Sequence, residues 1–319
     1  MTQTAPTAAK AAPSHEDTWV FFEGAIRRYA DAKLGLMTHA LHYGTGCFEG
    51  IRAYWNEEHN QLYVLQLSQH YRRLLNSAKT LLMTVPHSVE EMCAISLELL
   101  RRNGWRHDAY VRPIVYKASE EVGVRLHNLR DGFGIYTCPM GAYVDTAAGL
   151  RCMVSTWRRI DDNMAPARAK CTGIYINNAL AKTEAMANGY DEAIMLTQDG
   201  HVCEGSAENI FIVRDGTFIT PPATDNILEG ITRASLMDMV REDLGLEVVE
   251  RSVDRSELYA ADEVVLCGTG AQVAPVVEID RRRIGDGEPG PLTMRLQSLY
   301  FDACLGRNPK YRDWLSPVF

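Results

Sequence analysis

The sequence predicts a two-domain protein of mixed α and β structure, a small N-terminal α/β domain followed by a larger C-terminal one. Three observations carry this. The 319 residues suffice for two domains. Short strand-like runs bounded by Gly, Asn or Asp turns recur along the chain, interspersed with stretches of helical period. Between the halves, Met140-Gly141-Ala142-Tyr143 to Gly149 is a Gly/Ala-rich connector. The expected division is a tail over 1–17, a small domain over 18–141, a connector over 142–149 and a large domain over 150–319.

Trp19-Val20-Phe21-Phe22 and Ala25-Ile26-Arg27 read as strands around a turn at Gly24. His39 to Gly50 is compact and turn-rich, with a strand leaving it from Phe48 to Tyr54. Its Gly44-Thr45-Gly46 lacks the third glycine that would open a phosphate-binding helix, so a pocket wall is an equal reading. Gln61 to Leu67 alternates as a strand. Ser68 is a candidate cap for a helix through His70, Arg73, Leu74, Ala78 and Leu82. Ser88 and Glu91 form a capping-box pattern for a helix ending at Asn103-Gly104. Ala109 to Lys117 is a strand with Tyr110 and Arg112 on one face, a plausible carboxylate clamp, though a surface arginine beside a proline edge is the alternative. Phe133 to Pro139 is another strand.

In the second half, Leu150 to Thr156 is a strand and Gly173 to Asn188 a helix stopped by Gly189. Asp191–Leu196 pairs with His201–Glu204, and Asn209–Val213 with Thr217–Thr220, across turns at Gln198-Asp199-Gly200 and Asp215-Gly216. Gly230-Ile231-Thr232-Arg233 opens a helix, whose free N–H groups suit a phosphate, as every helix start does. Val264 to Cys267 runs into Gly268-Thr269-Gly270-Ala271. A hairpin and a terminal helix follow.

Composition excludes several classes. The chain is 46% hydrophobic and 23% charged, with net charge -8, which disfavours nucleic acid and anionic membranes as partners. No segment reaches the length of a membrane span. The eight cysteines include no C-x-x-C pair and fit buried free thiols in a reducing cytoplasm. His39 and His42 have no third ligand nearby, so no metal is expected.

One lysine stands apart from the other six. Lys170 lies among Ala165, Ala167, Ala169 and Cys171, just before Thr172-Gly173. Such small apolar flanks suit a partly desolvated amine that acts as a nucleophile or Schiff-base former. An ordinary lysine at a loop-to-helix junction is the alternative.

Five blocks in order resemble the class IV aminotransferases, and among them the branched-chain aminotransferase family that uses pyridoxal 5′-phosphate (PLP). They are His39–Gly44 with Phe48–Arg52, Ala109–Pro113, Ala169-Lys170 with Gly173 and Tyr175, Glu204–Asn209, and Gly230–Arg233. The resemblance implies a fold-type IV enzyme with PLP between a small α/β domain and a larger, barrel-like one. It implies that Lys170 carries PLP and moves the substrate α-proton, and that Glu204 keeps the pyridine nitrogen protonated. Tyr175 would hydrogen-bond the cofactor's phenolic oxygen, with Asn209 in support. Arg73, easily confused with Arg72, would bind the phosphate with Ile231, Thr232, Thr269 and Gly270. Phe48, Gly50, Tyr110, Arg112 and Tyr143 would line the substrate pocket. Tyr43 and Val124 would reach it from a partner subunit, making the protein at least a homodimer and possible as a hexamer.

The implied reaction is reversible amino transfer between L-Leu, L-Ile or L-Val and 2-oxoglutarate, with Arg112 holding the second carboxylate of glutamate. Val122–His127, with Arg125 and His127, and Gly268-Thr269-Gly270 depart from the family's pattern on the substrate side. The neighbouring alternatives are a D-amino acid or (R)-amine transaminase, also conceivable as a side activity, and a PLP lyase. A nucleotide-binding module around Gly268-x-Gly270 lacks the third glycine and the downstream acid.

Overall fold

A computed structural model describes residues 15–141 and 148–319. The first unit begins with β1 (Trp19–Phe22) and β2 (Ala25–Arg28). Their turn residues Glu23 and Gly24 both take positive φ, 48° and 82°, the twist a tight hairpin needs. There follow α1 (His39–Tyr43), β3 (Gly46–Phe48), β4 (Ile51–Asn56), β5 (Gln61–Leu65), α2 (Leu67–Thr80), α3 (Val89–Asn103), β6 (Ala109–Lys117) and β7 (Asp131–Pro139). The sheet runs β5-β4-β6-β7-β1-β2, with β3 also on β6. Helices α2 and α3 bury Tyr71, Leu74, Met92 and Leu99 against Leu62, Val64 and Val111 of the sheet. The capping box at Ser88 is formed in both directions, and Gly104 ends α3 at φ 65°.

Two local expectations change. The strand expected from Phe48 to Tyr54 is interrupted at Glu49-Gly50. The register is continuous, with Phe48 opposite Ile114 and Ile51 opposite Val111, but Pro113 stands in the gap without an N–H to give. Ser68 does not cap α2. Gln66 takes a left-handed φ of 51° as the cap residue and gives its N–H to Trp314 O, so the helix starts two residues earlier.

The second unit contains β8 (Leu150–Val154), α4 (Tyr175–Ala187), β9 (Glu192–Leu196), β10 (Val202–Gly205), β11 (Asn209–Arg214), β12 (Thr217–Thr220), α5 (Ile231–Met239), β13 (Val248–Glu250), α6 (Arg255–Tyr259), β14 (Glu263–Gly268), β15 (Gln272–Ile279), β16 (Arg282–Arg283) and α7 (Pro291–Cys304). Its sheet is ordered β10-β9-β8-β15-β14-β11-β12-β13, with β16 on β15. Alternate residues feed opposite faces, as the period of two requires. Ile210, Ile212, Val264 and Leu266 enter one core, whereas Phe211, Val213, Val265 and Cys267 enter the other, under α5 and α7.

The chain end crosses back. β17 (Leu315–Pro317) pairs antiparallel with β5, so the last residues of the span expected as the large domain complete the first sheet. Tyr54 and Leu65 of the first sheet share a core with Tyr300 and Leu296 of α7. The connector expected at 142–149 falls largely outside the described residues, and so does Tyr143.

Candidate active site

A cavity of about 640 Å3 opens between the two units. Phe48, Gly50, Tyr110 and Arg112 wall it from the first sheet, and Arg73 reaches it from α2. Lys170, Tyr175, Glu204, Asn209, Ile231, Thr232, Thr269 and Gly270 line it from the second unit. The structure thus brings together every described residue expected at the site except Tyr43 and Val124, which do not line this chain's own cavity.

Lys170 is fixed through its backbone. Its N–H donates to Ser77 Oγ at 3.1 Å, and its carbonyl accepts from Phe48 N–H at 3.1 Å. Ala167, Ala169 and Cys171 are buried around it. The side chain is left to extend into the cavity, where Nζ lies 2.7 Å from Tyr175 Oη and 5.2 Å from the Phe48 ring centroid.

Glu204 is buried at the end of β10. Arg159 Nη2 stands 3.0 Å from its Oε1, while Asn209 Nδ2 and Leu228 N–H donate to Oε2 at 2.9 and 3.0 Å. Burial pushes the Glu204 carboxyl upward, against the pull of Arg159 and the Leu228 N–H. Asn209 is held close to α5 because residue 230 is glycine; a Cβ there would lie 1.9 Å from Asn209 Oδ1. Gly230 offers no side chain to cap α5, so the first N–H groups of Ile231 and Thr232 face the cavity with the helix's positive end.

Arg73 does not stand alone. Glu49, wholly buried, accepts from its Nε at 2.6 Å and its Nη2 at 2.9 Å. His70 Nδ1 lies 2.8 Å from the same carboxylate, which can only accept, so Nδ1 carries the hydrogen. Burial alone would raise Glu49, but the Arg73 charge and the hydrogen bonds from His70 and Arg73 hold it well below the usual carboxylate range. Arg72, by contrast, is exposed and donates to Gln69 at 3.3 Å.

On the opposite wall, Arg112 Nη2 donates to Tyr110 Oη at 2.8 Å, and its guanidinium carbon sits 4.5 Å from the Phe48 ring centroid. Its buried Nε has no partner among the described residues. Gly50 leaves the room that Tyr110 uses; a Cβ would come within 2.1 Å of the Tyr110 hydroxyl.

Sequence reasoning missed Arg159, Glu49 and His70. It also gave no role to Glu208 or Lys182. Glu208 is only 4% exposed and lines the cavity. Lys182 also lines it and donates to the buried Glu192 at 2.6 Å. One available signal was an acid inside an apolar run, as in Cys47-Phe48-Glu49-Gly50-Ile51. For Arg159, at a loop position after Trp157, no local signal exists.

The model of the family described as amino-transferase class IV matches residues 46–279. A "Probable branched-chain-amino-acid aminotransferase" of Aquifex aeolicus is 50% identical over 301 residues, 94% of this chain and 97% of its own. The branched-chain aminotransferase of Thermoproteus uzoniensis, solved with norvaline, superposes with a TM-score of 0.91 at 43% identity, covering 95% of this chain and 99% of its own. The branched-chain amino acid aminotransferase of Thermobaculum terrenum in its PLP form gives a TM-score of 0.92 at 37% identity, covering 96% of this chain and 100% of its own. With matches spanning nearly the whole chain and taking in both walls of the cavity, the chain belongs to the class IV aminotransferases.

Proposed function

We propose that this chain is a PLP-dependent branched-chain amino acid aminotransferase, exchanging amino groups between L-Leu, L-Ile or L-Val and 2-oxoglutarate. The observation that carries the reading is one cavity faced by an amine, a buried carboxylate and an uncapped helix start. These groups fit PLP. Lys170 would hold it covalently, Glu204 would meet the ring nitrogen, and Arg73 with the N–H groups of Ile231 and Thr232 would take the phosphate. Thr269 and Gly270 would complete that end. Bound there, PLP supplies an electron sink for the pair left when the substrate Cα–H bond breaks.

The chain's own residues do the rest. Lys170 Nζ takes the α-proton from the substrate and returns one, a base and acid in turn. Tyr175 Oη orients that amine. Phe48 and Tyr110 cover an aliphatic side chain, each buried CH2 contributing about 0.8 kcal/mol. Arg112, whose Nε has no partner among the described residues and which has a tyrosine at its side, is suited to the second carboxylate of glutamate.

Exposed apolar side chains support a homo-oligomer. Leu36, Leu41, Val122 and Val124 are 65–88% exposed on the segments around α1 and the 119–127 loop. Tyr43 Oη accepts from the N–H of Gly123, next to Val124, so both expected partner-facing residues sit in one patch. Sedimentation of the purified protein tests this, with a monomer as the adverse result. The eight free thiols agree with a cytoplasmic setting.

An absorbance scan and an assay panel test the activity. A visible cofactor band altered by borohydride, and turnover of L-leucine, L-isoleucine and L-valine with 2-oxoglutarate, are expected. Turnover of D-alanine or (R)-1-phenylethylamine in place of the L-amino acids would favour the D-amino acid or (R)-amine reading.

A further inference from the structure

Cys47 and Cys171 oppose each other across the seam between the two units. Cys47 lies in β3, Cys171 directly follows Lys170, and the two form an isolated antiparallel bridge. The N–H of Phe48 bonds to the carbonyl of Lys170, the residue after one cysteine to the residue before the other. That pattern makes the cysteines a non-hydrogen-bonded pair, in which Cα atoms lie about 4.5 Å apart and side chains approach most closely. Disulfides span Cα separations of about 4.4–6.8 Å. Both thiols are free and buried, but not alike in access. Cys171 lines the active-site cavity, whereas Cys47 is absent from its wall and has no exposed surface. The other cysteines of the wall, Cys138 and Cys267, stand opposite Tyr110 and Val273.

We propose that Cys47 and Cys171 are a redox-active thiol pair, closed to a disulfide by a small hydroperoxide that enters through the active-site cavity. The Cys171 sulfur attacks the terminal peroxide oxygen, the O–O bond breaks and an alcohol leaves, giving a sulfenic acid. The Cys47 sulfur then attacks the Cys171 sulfur, the S–S bond forms, the S–O bond breaks and water leaves. Two thiols lose two electrons and two protons, and the hydroperoxide is reduced to alcohol plus water. A dithiol reverses the closure by exchange.

The resting state is the reduced one. Burial pushes Cys171 up to about 11 and Cys47 higher still, with the Cys171 sulfur adding to the rise. Both are therefore protonated at neutral pH, and attack through the minor thiolate is slow. Closure ties β3, which carries Phe48, to the segment that carries Lys170. It joins two chain positions far apart in sequence, the case in which a cross-link restricts the unfolded chain most.

The test uses the full-length PLP-loaded protein treated with tert-butyl hydroperoxide, then alkylated in denaturant. Expected are the loss of two alkylatable thiols, a mass lower by two hydrogens, and a linked pair of peptides containing residues 47 and 171. Dithiothreitol should restore both thiols. The melting midpoint of the oxidised protein should rise by about 5 °C or more. In Cys47→Ala the same treatment should leave Cys171 to react with dimedone, with no cross-link and no rise. A wild-type protein that keeps both thiols, or takes Cys171 to sulfinic acid without a cross-link, overturns the proposal. So does an equal rise in melting midpoint in Cys47→Ala.

Discussion

The Lys170 amine sits 2.7 Å from the Tyr175 hydroxyl, joined across the short 3-10 turn Thr172–Ile174. Both groups face the cavity, and the Phe48 ring packs on Tyr175 with centroids 4.8 Å apart. The tyrosine is therefore held by packing, and it holds the amine by one directed bond. A hydrogen bond to a charged group contributes about 1.5–3 kcal/mol.

Tyr175→Phe keeps the packing and removes the bond. The kcat should fall by about tenfold to a hundredfold, with KM for L-leucine changing little. Steady-state kinetics check this. An unchanged kcat would remove Tyr175 from the proposed mechanism.

Arg159→Met should cost the fold as well as the site, since Arg159 lines the cavity and pairs with Glu204. It leaves Glu204 buried beside Asn209 and Leu228 without its cation. Breaking a buried ion pair from one side costs about 3–5 kcal/mol. Glu204 would then be driven further toward its neutral form, the wrong partner for a protonated ring nitrogen. Urea denaturation should show the loss of stability, and kcat should fall together with that of Glu204→Gln. A variant as stable and as active as the parent would contradict the pairing.

Glu49→Gln tests whether Arg73 needs its carboxylate. The two-point contact at 2.6 and 2.9 Å fixes the guanidinium plane, and His70 fixes the carboxylate in turn. Glutamine has one accepting oxygen where the carboxylate has two, so the fork loses one contact. PLP affinity, read by titrating the cofactor-free protein, should weaken by about tenfold. Equal affinity in the two proteins would mean that Arg73 is oriented without Glu49.

Arg112→Ala should separate the two amino donors. Glutamate and 2-oxoglutarate lose a charge-assisted contact, whereas leucine loses only part of a wall. The kcat/KM for 2-oxoglutarate should fall by more than a hundredfold and that for L-leucine by far less. Equal losses would count against a carboxylate role.

What the sequence revealed and what it hid divide by range. Lys170 stands out by its own small apolar flanks, whereas Tyr175, Glu204 and Asn209 enter through the resemblance of the runs that hold them, and the fold places all four on one cavity. Strand period set Tyr110 and Arg112 on one face but left a surface arginine as an equal reading, and the resemblance supplied the pocket. Glu49 and Arg159 act through partners that only the fold brings near, Arg73 and Glu204 respectively. The same reason hid β17, whose pairing with β5 spans most of the chain. Ser68 was a local signal defeated by a distant one, the Gln66 N–H being taken by Trp314 O. Glu208 was left without a role because its neighbour Glu204 explained the motif without it.

Glu208 makes the stability of the folded protein depend on pH. The carboxyl is pushed up to about 8 by burial first and by the Glu192 carboxylate second, while the Ala207 N–H, which donates to it at 2.9 Å, pulls the other way. In the unfolded chain it ionises near the ordinary value of 4.5. Between those two values the folded state holds a proton that unfolding releases. Raising the pH therefore favours unfolding across that window, by at most about 1.4 kcal/mol per pH unit. Below it the residue costs nothing, and above it the cost is constant. Glutamine fills the same space, can accept from Ala207 and never ionises. Glu208→Gln should thus match the parent near pH 4 and grow steadily more stable than it toward pH 8, as measured by urea midpoints at each pH. A constant difference across that range would show that Glu208 is ionised in the folded protein, stabilised against Glu192 by Lys182, whose amine already bonds the Glu192 carboxylate at 2.6 Å.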